Sequence, residues 1–316
     1  MAERLKVRGN MSEITEKAKE GLVLRSLLFV PVNVDKYVEK AHTRGADAII
    51  LDLEDSIASS EKAMARSLVN DAAKLVSRRG ADVFVRINSP LRLAIPDLEA
   101  VIGHGITGIT LPKCDGPGHV RLIAEAISEL EAERGMDVGS TIMSVRIETA
   151  EAYFKMPEIA KSHERIAGFG LGSEDFTLSI GIEPSTETLL FPKQQSIIAA
   201  RAAGVLPMGL VSSGADYTRL DEMREIVKKS RRFGFAGSSC IHPAVVPILN
   251  QEFTPDEGEI AKARVIINEF QKAINAGRAS LEVDGKMVDY PVVYRAQNLI
   301  KIADNIAKKE AVIEAD

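Results

Sequence analysis

The stretch Val145-Arg-Ile-Glu-Thr-Ala150 is a short apolar run that ends in a carboxylate, Glu148, followed by residues that begin helices. The stretch Gly168-Phe-Gly-Leu-Gly-Ser-Glu-Asp175 repeats this pattern and ends in Asp175. Acidic residues that follow successive strands suit a hard divalent cation that keeps open positions for substrate oxygens. The two stretches therefore predict a metal site with these acids as ligands. The alternative is that each acid only caps a helix or a turn.

Around these stretches, apolar runs alternate with helical patterns eight times. Continuous apolar strands, without a polar alternation, are typical of a parallel sheet that is covered on both faces. The predicted strands are residues 25–31, 46–52, 82–88, 108–113, 141–148, 166–171, 205–211 and 237–241. The predicted helices between them are residues 35–44, 61–77, 98–103, 119–134, 193–203 and 221–232, with a long connection over 177–192.

The spacing of the polar strand ends indicates the fold. The tips at Asp52, Arg86, Lys113, Glu148 and Asp175 are 34, 27, 35 and 27 residues apart, and a barrel of eight units has roughly 31 residues per unit. The sequence therefore predicts an α/β fold, a TIM (β/α)8 barrel with its active site at the C-terminal strand ends. An open doubly wound sheet is the alternative, but residues 30–33 are not the glycine-rich turn that usually follows its first strand.

The chain divides into three predicted regions. Residues 1–24 are a polar, weakly helical N-terminal appendage, and residues 25–250 are the barrel with the metal site. Residues 251–316 form a C-terminal helical and loop extension, with a hairpin-like turn at Asp284-Gly285 between two helices. This extension is too small to bury a core of its own. We expect it to pack on the barrel or on another subunit.

Composition excludes several classes of partner. The chain has 316 residues, a net charge of −5 and no Trp, so it lacks the basic excess and the stacking platforms of nucleic-acid binders. It has two cysteines, Cys114 and Cys240, which are not in metal-ligand spacing, and this indicates a reducing compartment. No apolar run has membrane-spanning length, and no signal-peptide pattern is present. We expect a cytoplasmic protein without membrane or nucleic-acid partners.

Charged residues beside the predicted metal site are candidates for catalysis and substrate binding. Arg86 suits a substrate carboxylate or an enolate oxygen, although a salt bridge that closes the barrel is the alternative. Glu54 and Asp55 could hold metal-bound waters or orient Arg86, or they could be ordinary helix-start acids. Lys113 suggests a Schiff base, but nearby acids would keep its amine protonated, so we favour pairing with those carboxylates.

Weaker candidates follow the later strands. Free backbone amides near Glu174 and Asp175 could bind a carboxylate, and the glycines of residues 168–172 suggest close approach of the backbone to a ligand. His242 is either a base or a turn element in its His-Pro pair. Cys240 is interpreted as a small buried hydrophobe rather than a nucleophile.

Eight short motifs, which occur in order and at the spacing of barrel strands, make the resemblance of this chain to a known family specific. They are Arg25-Ser-Leu-Leu-Phe-Val-Pro31, Asp52-Leu-Glu-Asp-Ser56, Arg86-Ile-Asn88, Leu111-Pro-Lys113, Ile147-Glu-Thr149, Gly172-Ser-Glu-Asp175, Ile241-His-Pro243 and Asp284-Gly-Lys-Met-Val-Asp289. From residue 25 to about residue 300 the chain resembles the citrate lyase beta-subunit-like family, relatives of the HpcH/HpaI aldolases that include malyl-CoA and citramalyl-CoA lyases.

The resemblance implies a Mg²⁺-dependent carbon–carbon lyase. Its substrate would be a 3-hydroxy-3-carboxyalkyl-type CoA thioester such as malyl-CoA or citramalyl-CoA, and its products a 2-oxo acid and an acyl-CoA. By the same resemblance Glu148 and Asp175 match the metal ligands, and Arg86 matches the arginine that steadies the oxo or hydroxy acid. Asp289 matches an aspartate that enters a neighbouring subunit's site and moves the α-proton of the thioester. The family forms homotrimers or hexamers.

The resemblance leaves the substrate open. Residues 206–216 replace a more acidic segment at the seventh strand end of relatives, and such a loop would line the acyl or acid pocket. The Ile241-His-Pro243 motif favours free CoA thioesters. The alternatives are a citrate lyase beta subunit acting on citryl-acyl carrier protein, a metal-dependent aldolase on free 2-oxo acids, and a non-catalytic scaffold subunit.

Overall fold

The computed structural model describes residues 2–103, 105–214 and 216–315, with side chains described for residues 11–312 of these ranges. The strands are β1 Ser26–Pro31, β2 Ala48–Asp52, β3 Asp82–Arg86, β4 Gly108–Leu111, β5 Ile142–Ile147, β6 Ile166–Leu171, β7 Leu206–Pro207, β8 Ser238–Cys240, β9 Leu281–Val283 and β10 Lys286–Val288. The helices are α1 Ala2–Lys19, α2 Asp35–Ala41, α3 Lys62–Val76, α4 Leu91–Val101, α5 Pro117–Glu133, α6 Ala150–Phe154, α7 Met156–Ala160, α8 Ser173–Ile180, α9 Thr186–Ala202, α10 Leu220–Phe233, α11 Val246–Phe253, α12 Glu257–Asn275 and α13 Tyr290–Ala315.

Eight parallel strands form a single curled sheet, in the order β7-β6-β5-β4-β3-β2-β1-β8. The two ends of the sheet meet: the Ala236 amide donates to the Pro207 carbonyl at 2.8 Å, and the Gly209 amide donates to the Gly237 carbonyl at 2.8 Å. A side chain at Gly237 would collide with the backbone of Leu24, because its Cβ would lie 1.7 Å from the Leu24 carbonyl oxygen. The predicted TIM-type barrel with a C-terminal helical extension is confirmed.

The barrel has apolar residues on both sides of its strands. Inside the barrel, a small core is built from residues such as Leu27, Ile50, Phe84, Ile142 and Met208. A larger core fills the layer between the outer faces of the strands and the helices. Both faces of each strand are therefore dry, which explains why the strands have continuous apolar sequences.

Two buried arginines that directly precede strands β1 and β6 are paired with acids. Arg165 donates to both carboxylate oxygens of Glu131, at 3.0 and 2.5 Å, and both side chains are fully buried. Arg25 holds Asp47 in the same two-pronged way, at 2.9 and 2.8 Å. Bidentate pairs with satisfied oxygens are the form in which buried charges are tolerated. Removing one partner of such a pair would be strongly destabilising.

Two helices differ from the prediction. Helix α4 begins at Leu91 and not at residue 98, and Pro96 lies in its interior. The connection over 177–192 is also mostly helical. Helix α9 begins at Thr186, where Ser185 and Thr188 form a capping box, and Pro192 lies in its interior. Both helices therefore begin earlier in the chain than predicted and contain a proline.

The chain folds as two compact units, the second of which is Thr254–Ala315. Within this unit α12 begins at the N-cap Asp256, and β9 and β10 form the expected hairpin, with Asp284 and Gly285 at positive φ in the turn. A small core of Phe270, Val288 and Val293 supports it. Among the described helices of the whole chain, none combines the length and the apolar character needed to cross a membrane.

Candidate active site

The barrel brings the predicted polar tips to one mouth. Asp52 and Arg86 are the last residues of β2 and β3, and Lys113 lies just beyond β4. Glu148 follows β5 directly, and Asp175 lies in the first turn of α8, which begins after β6. Because neighbouring strands are parallel, their C-terminal ends lie on the same side of the sheet, where barrel enzymes have their active sites.

Arg86 is surrounded by acids. Its Nε and Nη2 donate to the two oxygens of Asp52 at 2.6 and 2.7 Å. Its Nη1 lies 2.9 Å from Glu54 Oε2 and 3.5 Å from Asp55 Oδ2. Burial alone would raise the pKa of Asp52, but the hydrogen bonds and charge of Arg86 hold that pKa below its usual range. Asp52, which the sequence marked only as a strand tip, is thus the closest partner of Arg86.

Lys113 lies against the same acids, as the favoured interpretation predicted. Its Nζ lies 2.7 Å from Glu54 Oε1 and 3.0 Å from Asp55 Oδ1. Burial would lower the pKa of Lys113, but these hydrogen bonds and charges raise it above its usual value. A protonated amine is not a nucleophile, so the Schiff-base alternative is disfavoured. Burial raises the pKa of Glu54 to about 7, against the opposing effects of Arg86 and Lys113.

Glu148 lies on the other side of the mouth and is buried. Its Oε2 accepts a hydrogen bond from the backbone amide of Lys113 at 2.8 Å. The absence of a side chain at Gly172 makes room for it, because a Cβ there would lie 2.7 Å from Glu148 Cγ. Burial raises the pKa of Glu148, and the charge of Asp175 raises it further. Two carboxylates thus repel each other, and Glu148 forms no ion pair among the described side chains.

This arrangement fits a divalent cation. A cation between Glu148 and Asp175 would relieve their repulsion, and hard carboxylate oxygens are suitable donors for Mg²⁺. No group of three or more His, Cys, Asp or Glu side chains suited to a metal occurs among the described residues. The two carboxylates Glu148 and Asp175 match Mg²⁺, which usually takes one or two protein carboxylates and completes its shell with water and substrate.

Two glycines of β6 pack closely against neighbouring strands. A Cβ at Gly170 would lie 2.0 Å from the Met208 carbonyl oxygen, and one at Gly168 would lie 3.0 Å from Ser144 Oγ. After β6, the exposed Glu174 accepts a hydrogen bond from Ser213 Oγ. The first turn of α8, with Glu174 and Asp175, leaves backbone amides free of helical partners.

The remaining candidates have structural contacts. His242 accepts the Ala244 amide through Nδ1 at 3.2 Å and caps a short turn, so the turn interpretation accounts for it. Cys240 is buried, and burial raises the pKa of its thiol to about 12, which suits a small hydrophobe. Asp289, in the second unit, precedes α13 and accepts the Val292 amide at 3.4 Å.

Two buried cations were missed by the sequence analysis. Arg146 interrupts the apolar run of β5 and is 7% exposed, and Lys193 on α9 is 2% exposed. Arg146 could have been noticed as a charged residue inside a strand that is otherwise apolar. Lys193 gave no comparable signal, because it lay at the assumed start of a helix, where a lysine is ordinary.

Together the barrel and its mouth define an α/β-barrel enzyme with an acidic active site suited to a divalent metal. The chain belongs to the HpcH/HpaI aldolase/citrate lyase family, whose sequence model matches residues 25–243. It is a carbon–carbon lyase of that family, as its relatives are.

Several known proteins are similar over most of the chain. Citrate lyase subunit beta of Leuconostoc mesenteroides subsp. cremoris is 33% identical, over 89% of this chain and 93% of that protein. The human mitochondrial citramalyl-CoA lyase is 27% identical, over 90% of this chain and 87% of that protein. A crystal structure of CitE from Mycobacterium tuberculosis with magnesium, acetoacetate and coenzyme A is 26% identical, covers 88% of this chain and 97% of that one, and has a TM-score of 0.69.

Proposed function

We propose that this protein is a Mg²⁺-dependent lyase that cleaves, or forms, a 3-hydroxy-3-carboxyalkyl CoA thioester such as malyl-CoA or citramalyl-CoA. The products are a 2-oxo acid and an acyl-CoA. The observation that carries the proposal is the pair of acids Glu148 and Asp175, which follow successive strands, repel each other and form no ion pair among the described side chains. The relative whose structure contains magnesium, acetoacetate and coenzyme A supports both the metal and the thioester.

The bound Mg²⁺ would supply Lewis-acid polarisation of the substrate's hydroxyl and carboxylate oxygens. Arg86, held by Asp52, stabilises the emerging oxo acid and the negative charge that develops as the bond breaks. Glu54, whose pKa is raised to about 7, is suited to accept the hydroxyl proton, with Asp55 beside it and Lys113 providing positive charge. The carbon–carbon bond then breaks, and its electron pair becomes the enolate of the thioester. The amides near Glu174 and Asp175 bind the substrate carboxylate.

The enolate must receive a proton at carbon, and we assign this step to Asp289 of a neighbouring subunit in a cytoplasmic homotrimer or hexamer. This assignment rests on the resemblance of residues 284–289 to the family motif. Asp289→Asn should abolish turnover and leave Mg²⁺ binding and oligomer size unchanged.

Mixing inactive Asp289→Asn with inactive Glu148→Gln should restore activity, because a hybrid oligomer pairs an intact Asp289 with an intact metal site. Native mass spectrometry should establish that subunits exchange. Exchange without recovery of activity would contradict the shared site.

A second candidate is a citrate lyase beta subunit that acts on a citryl group carried by an acyl carrier protein. The higher identity to citrate lyase subunit beta, 33% against 27% for the citramalyl-CoA lyase, favours it. Incubation with malyl-, citramalyl- and citryl-CoA and with a citryl-carrier protein, each with Mg²⁺, separates the candidates by mass spectrometry of the products. We expect cleavage of at least one free CoA thioester. Cleavage of the carrier-bound substrate alone would favour the second candidate.

The same panel, extended to pyruvate with an aldehyde, also tests for an aldolase and for a scaffold subunit. Turnover of free 2-oxo acids without response to any thioester would indicate an aldolase. Mg²⁺ binding without any product would indicate a scaffold subunit.

A further inference from the structure

Lys113 has an unusual backbone conformation for a residue with a side chain. Its φ is 45°, in the left-handed region, and among the described non-glycine residues only Asp284 also has a positive φ. Asp284 lies in the turn between β9 and β10, where such a conformation is ordinary. Lys113 instead follows β4 at the mouth of the barrel. A left-handed backbone is unfavourable for a residue with a Cβ, and it persists only where surrounding contacts hold it.

The backbone amide of Lys113 makes the contact that this conformation provides. It donates to Glu148 Oε2 at 2.8 Å. The other oxygen, Glu148 Oε1, lies beside Gly172, because a Cβ there would come within 2.8 Å of it. Gly172 is the N-cap of α8, and the first turn of α8 carries Asp175. The amide therefore fixes which oxygen of Glu148 lies beside the helix that carries the second acid of the proposed metal site.

The side chain of Lys113 extends to different acids, which follow β2. Its Nζ lies 2.7 Å from Glu54 Oε1 and 3.0 Å from Asp55 Oδ1. The backbone of the next residue is held separately, since the Cys114 amide donates to the Arg146 carbonyl of β5 at 3.1 Å. Lys113 is thus tied through its side chain to the acids after β2 and through its amide to the acid after β5.

The value of φ at Lys113 determines where its amide points. The peptide group between Pro112 and Lys113 is planar and turns as a unit. Because the Cys114 amide keeps the following backbone on β5, a change of φ to the ordinary negative range turns this peptide group and moves the amide away from Glu148. The backbone itself does not require a lysine here, since glycine adopts a positive φ without strain from a Cβ. The ion pairs of the side chain are the contacts that can offset the strain.

We propose that Lys113 is a positioning residue for the metal site, because its ion pairs with Glu54 and Asp55 hold the left-handed backbone that directs its amide to Glu148. This inference rests on the proposed function, which takes Glu148 as a Mg²⁺ ligand. It gives Lys113 a role that differs from the positive charge it provides to the reaction. A positive charge near the site weakens the binding of a cation, so the two roles have opposite effects on Mg²⁺ affinity.

The test is a calorimetric titration of Mg²⁺ into the whole wild-type protein, Lys113→Ala and Lys113→Gly. The two variants lose the same charge and the same ion pairs, and they differ by one methyl group, which changes the preference for a positive φ. We expect Lys113→Ala to bind Mg²⁺ about tenfold more weakly than Lys113→Gly, because binding to the alanine variant must restore a strained conformation. Equal affinity of the two variants, or tighter binding by Lys113→Ala, would overturn the positioning role.

Lys113→Arg tests the contribution of the ion pairs. It keeps the charge and can pair with the same two acids, so it should bind Mg²⁺ more tightly than Lys113→Ala does. Since the retained charge itself disfavours a cation, this recovery would come from the orientation of the amide. An affinity of Lys113→Arg at or below that of Lys113→Ala would contradict the role assigned to the ion pairs.

Crystal structures of the alanine and glycine variants, grown without added metal, give a readout that does not depend on Mg²⁺. In Lys113→Gly the amide of residue 113 should stay near the 2.8 Å that separates it from Glu148 Oε2 in the wild-type protein. In Lys113→Ala this hydrogen bond should be broken and φ of residue 113 should be negative. An intact hydrogen bond in Lys113→Ala would contradict the proposal.

The same titration of Glu148→Gln separates this inference from the proposed function. Wild-type Mg²⁺ affinity in Glu148→Gln would refute Glu148 as a ligand, and the crystal structures would still decide whether Lys113 holds its amide on Glu148. Loss of binding in Glu148→Gln, together with equal affinities of Lys113→Ala and Lys113→Gly, would support the metal site and refute the role of Lys113.

Discussion

The mouth of the barrel has two sides that carry similar numbers of charged residues but differ in how those charges are paired. On the side built from β2, β3 and β4, five charged residues are linked by ion pairs; they are Asp52, Glu54, Asp55, Arg86 and Lys113. On the side built from β5, β6 and α9, the described side chains form no ion pair; the members are Arg146, Glu148, Asp175 and Lys193.

Charges that are fixed in ion pairs and charges that are left outside ion pairs suit different roles in an active site. Ion pairs within the paired side fix the positions of Arg86 and Lys113, so these groups are ready before a ligand arrives. On the unpaired side the protein keeps two acids near each other and two cations near each other, and each arrangement is unfavourable in isolation. We infer that the paired side orients the reacting groups and that the unpaired side receives the metal and the anionic substrate.

The largest expected effect is on the unpaired side. Glu148→Gln should lower kcat/KM about 10³-fold or more, equivalent to about 4 kcal/mol, because the metal loses a ligand. The free energy of unfolding of the metal-free variant should not fall, because burial disfavours the charged form of Glu148 in the wild-type protein. Steady-state kinetics and urea unfolding measure the two quantities. A marked loss of stability with little loss of activity would assign Glu148 to the fold.

On the paired side we expect a substitution to lower the free energy of unfolding. Asp52→Asn removes the negative charge of the pair and one of the two oxygens that accept hydrogen bonds from Arg86, and it should lower the free energy of unfolding by about 3 kcal/mol, the range for breaking a buried pair. Asp71→Asn is a suitable control, because its pair with Lys74 is exposed and should contribute less than about 1 kcal/mol. Equal effects of the two substitutions in urea unfolding would contradict a structural role for the Asp52–Arg86 pair.

A smaller effect is expected with pH. Because the pKa of Asp52 is lowered in the folded protein, its charged form contributes stability above the unfolded-chain pKa of about 3.9. This contribution is lost as pH falls through the lower, folded-state pKa. The difference in free energy of unfolding between the wild-type protein and Asp52→Asn should therefore be constant near neutral pH and shrink below about pH 4. A difference that grows on acidification would show that the pKa of Asp52 is shifted in the other direction.

Much of the barrel was predictable from the sequence. Strands such as β5 and β6 are continuous apolar runs that end in polar residues, and this pattern depends only on neighbouring residues. Helix α9 was predicted to begin only after Pro192, whereas it begins at Thr186, where Ser185 and Thr188 form a capping box. Tertiary packing tolerates this proline within the helix, and local sequence does not report such packing.

The sequence predicted which residues form the candidate site better than it predicted the contacts between them. The positions of Glu148 and Asp175 follow from strand ends, but the pairing of Arg86 with Asp52 depends on the register of β2 against β3, which brings the two residues opposite each other. Arg146 was detectable as a charge inside an apolar strand, whereas Lys193 gave no signal, because a lysine at the start of a predicted helix is ordinary.

The difference between the two sides is tested most directly by calorimetric titration of Mg²⁺ into the wild-type protein, Glu148→Gln and Asp52→Asn. The substitutions remove one buried carboxylate each, from the unpaired and the paired side of the same mouth. We predict that Glu148→Gln loses Mg²⁺ binding and that Asp52→Asn retains it near the wild-type affinity. Wild-type affinity in Glu148→Gln, or loss of binding in Asp52→Asn alone, would contradict the assignment of the metal to the unpaired side.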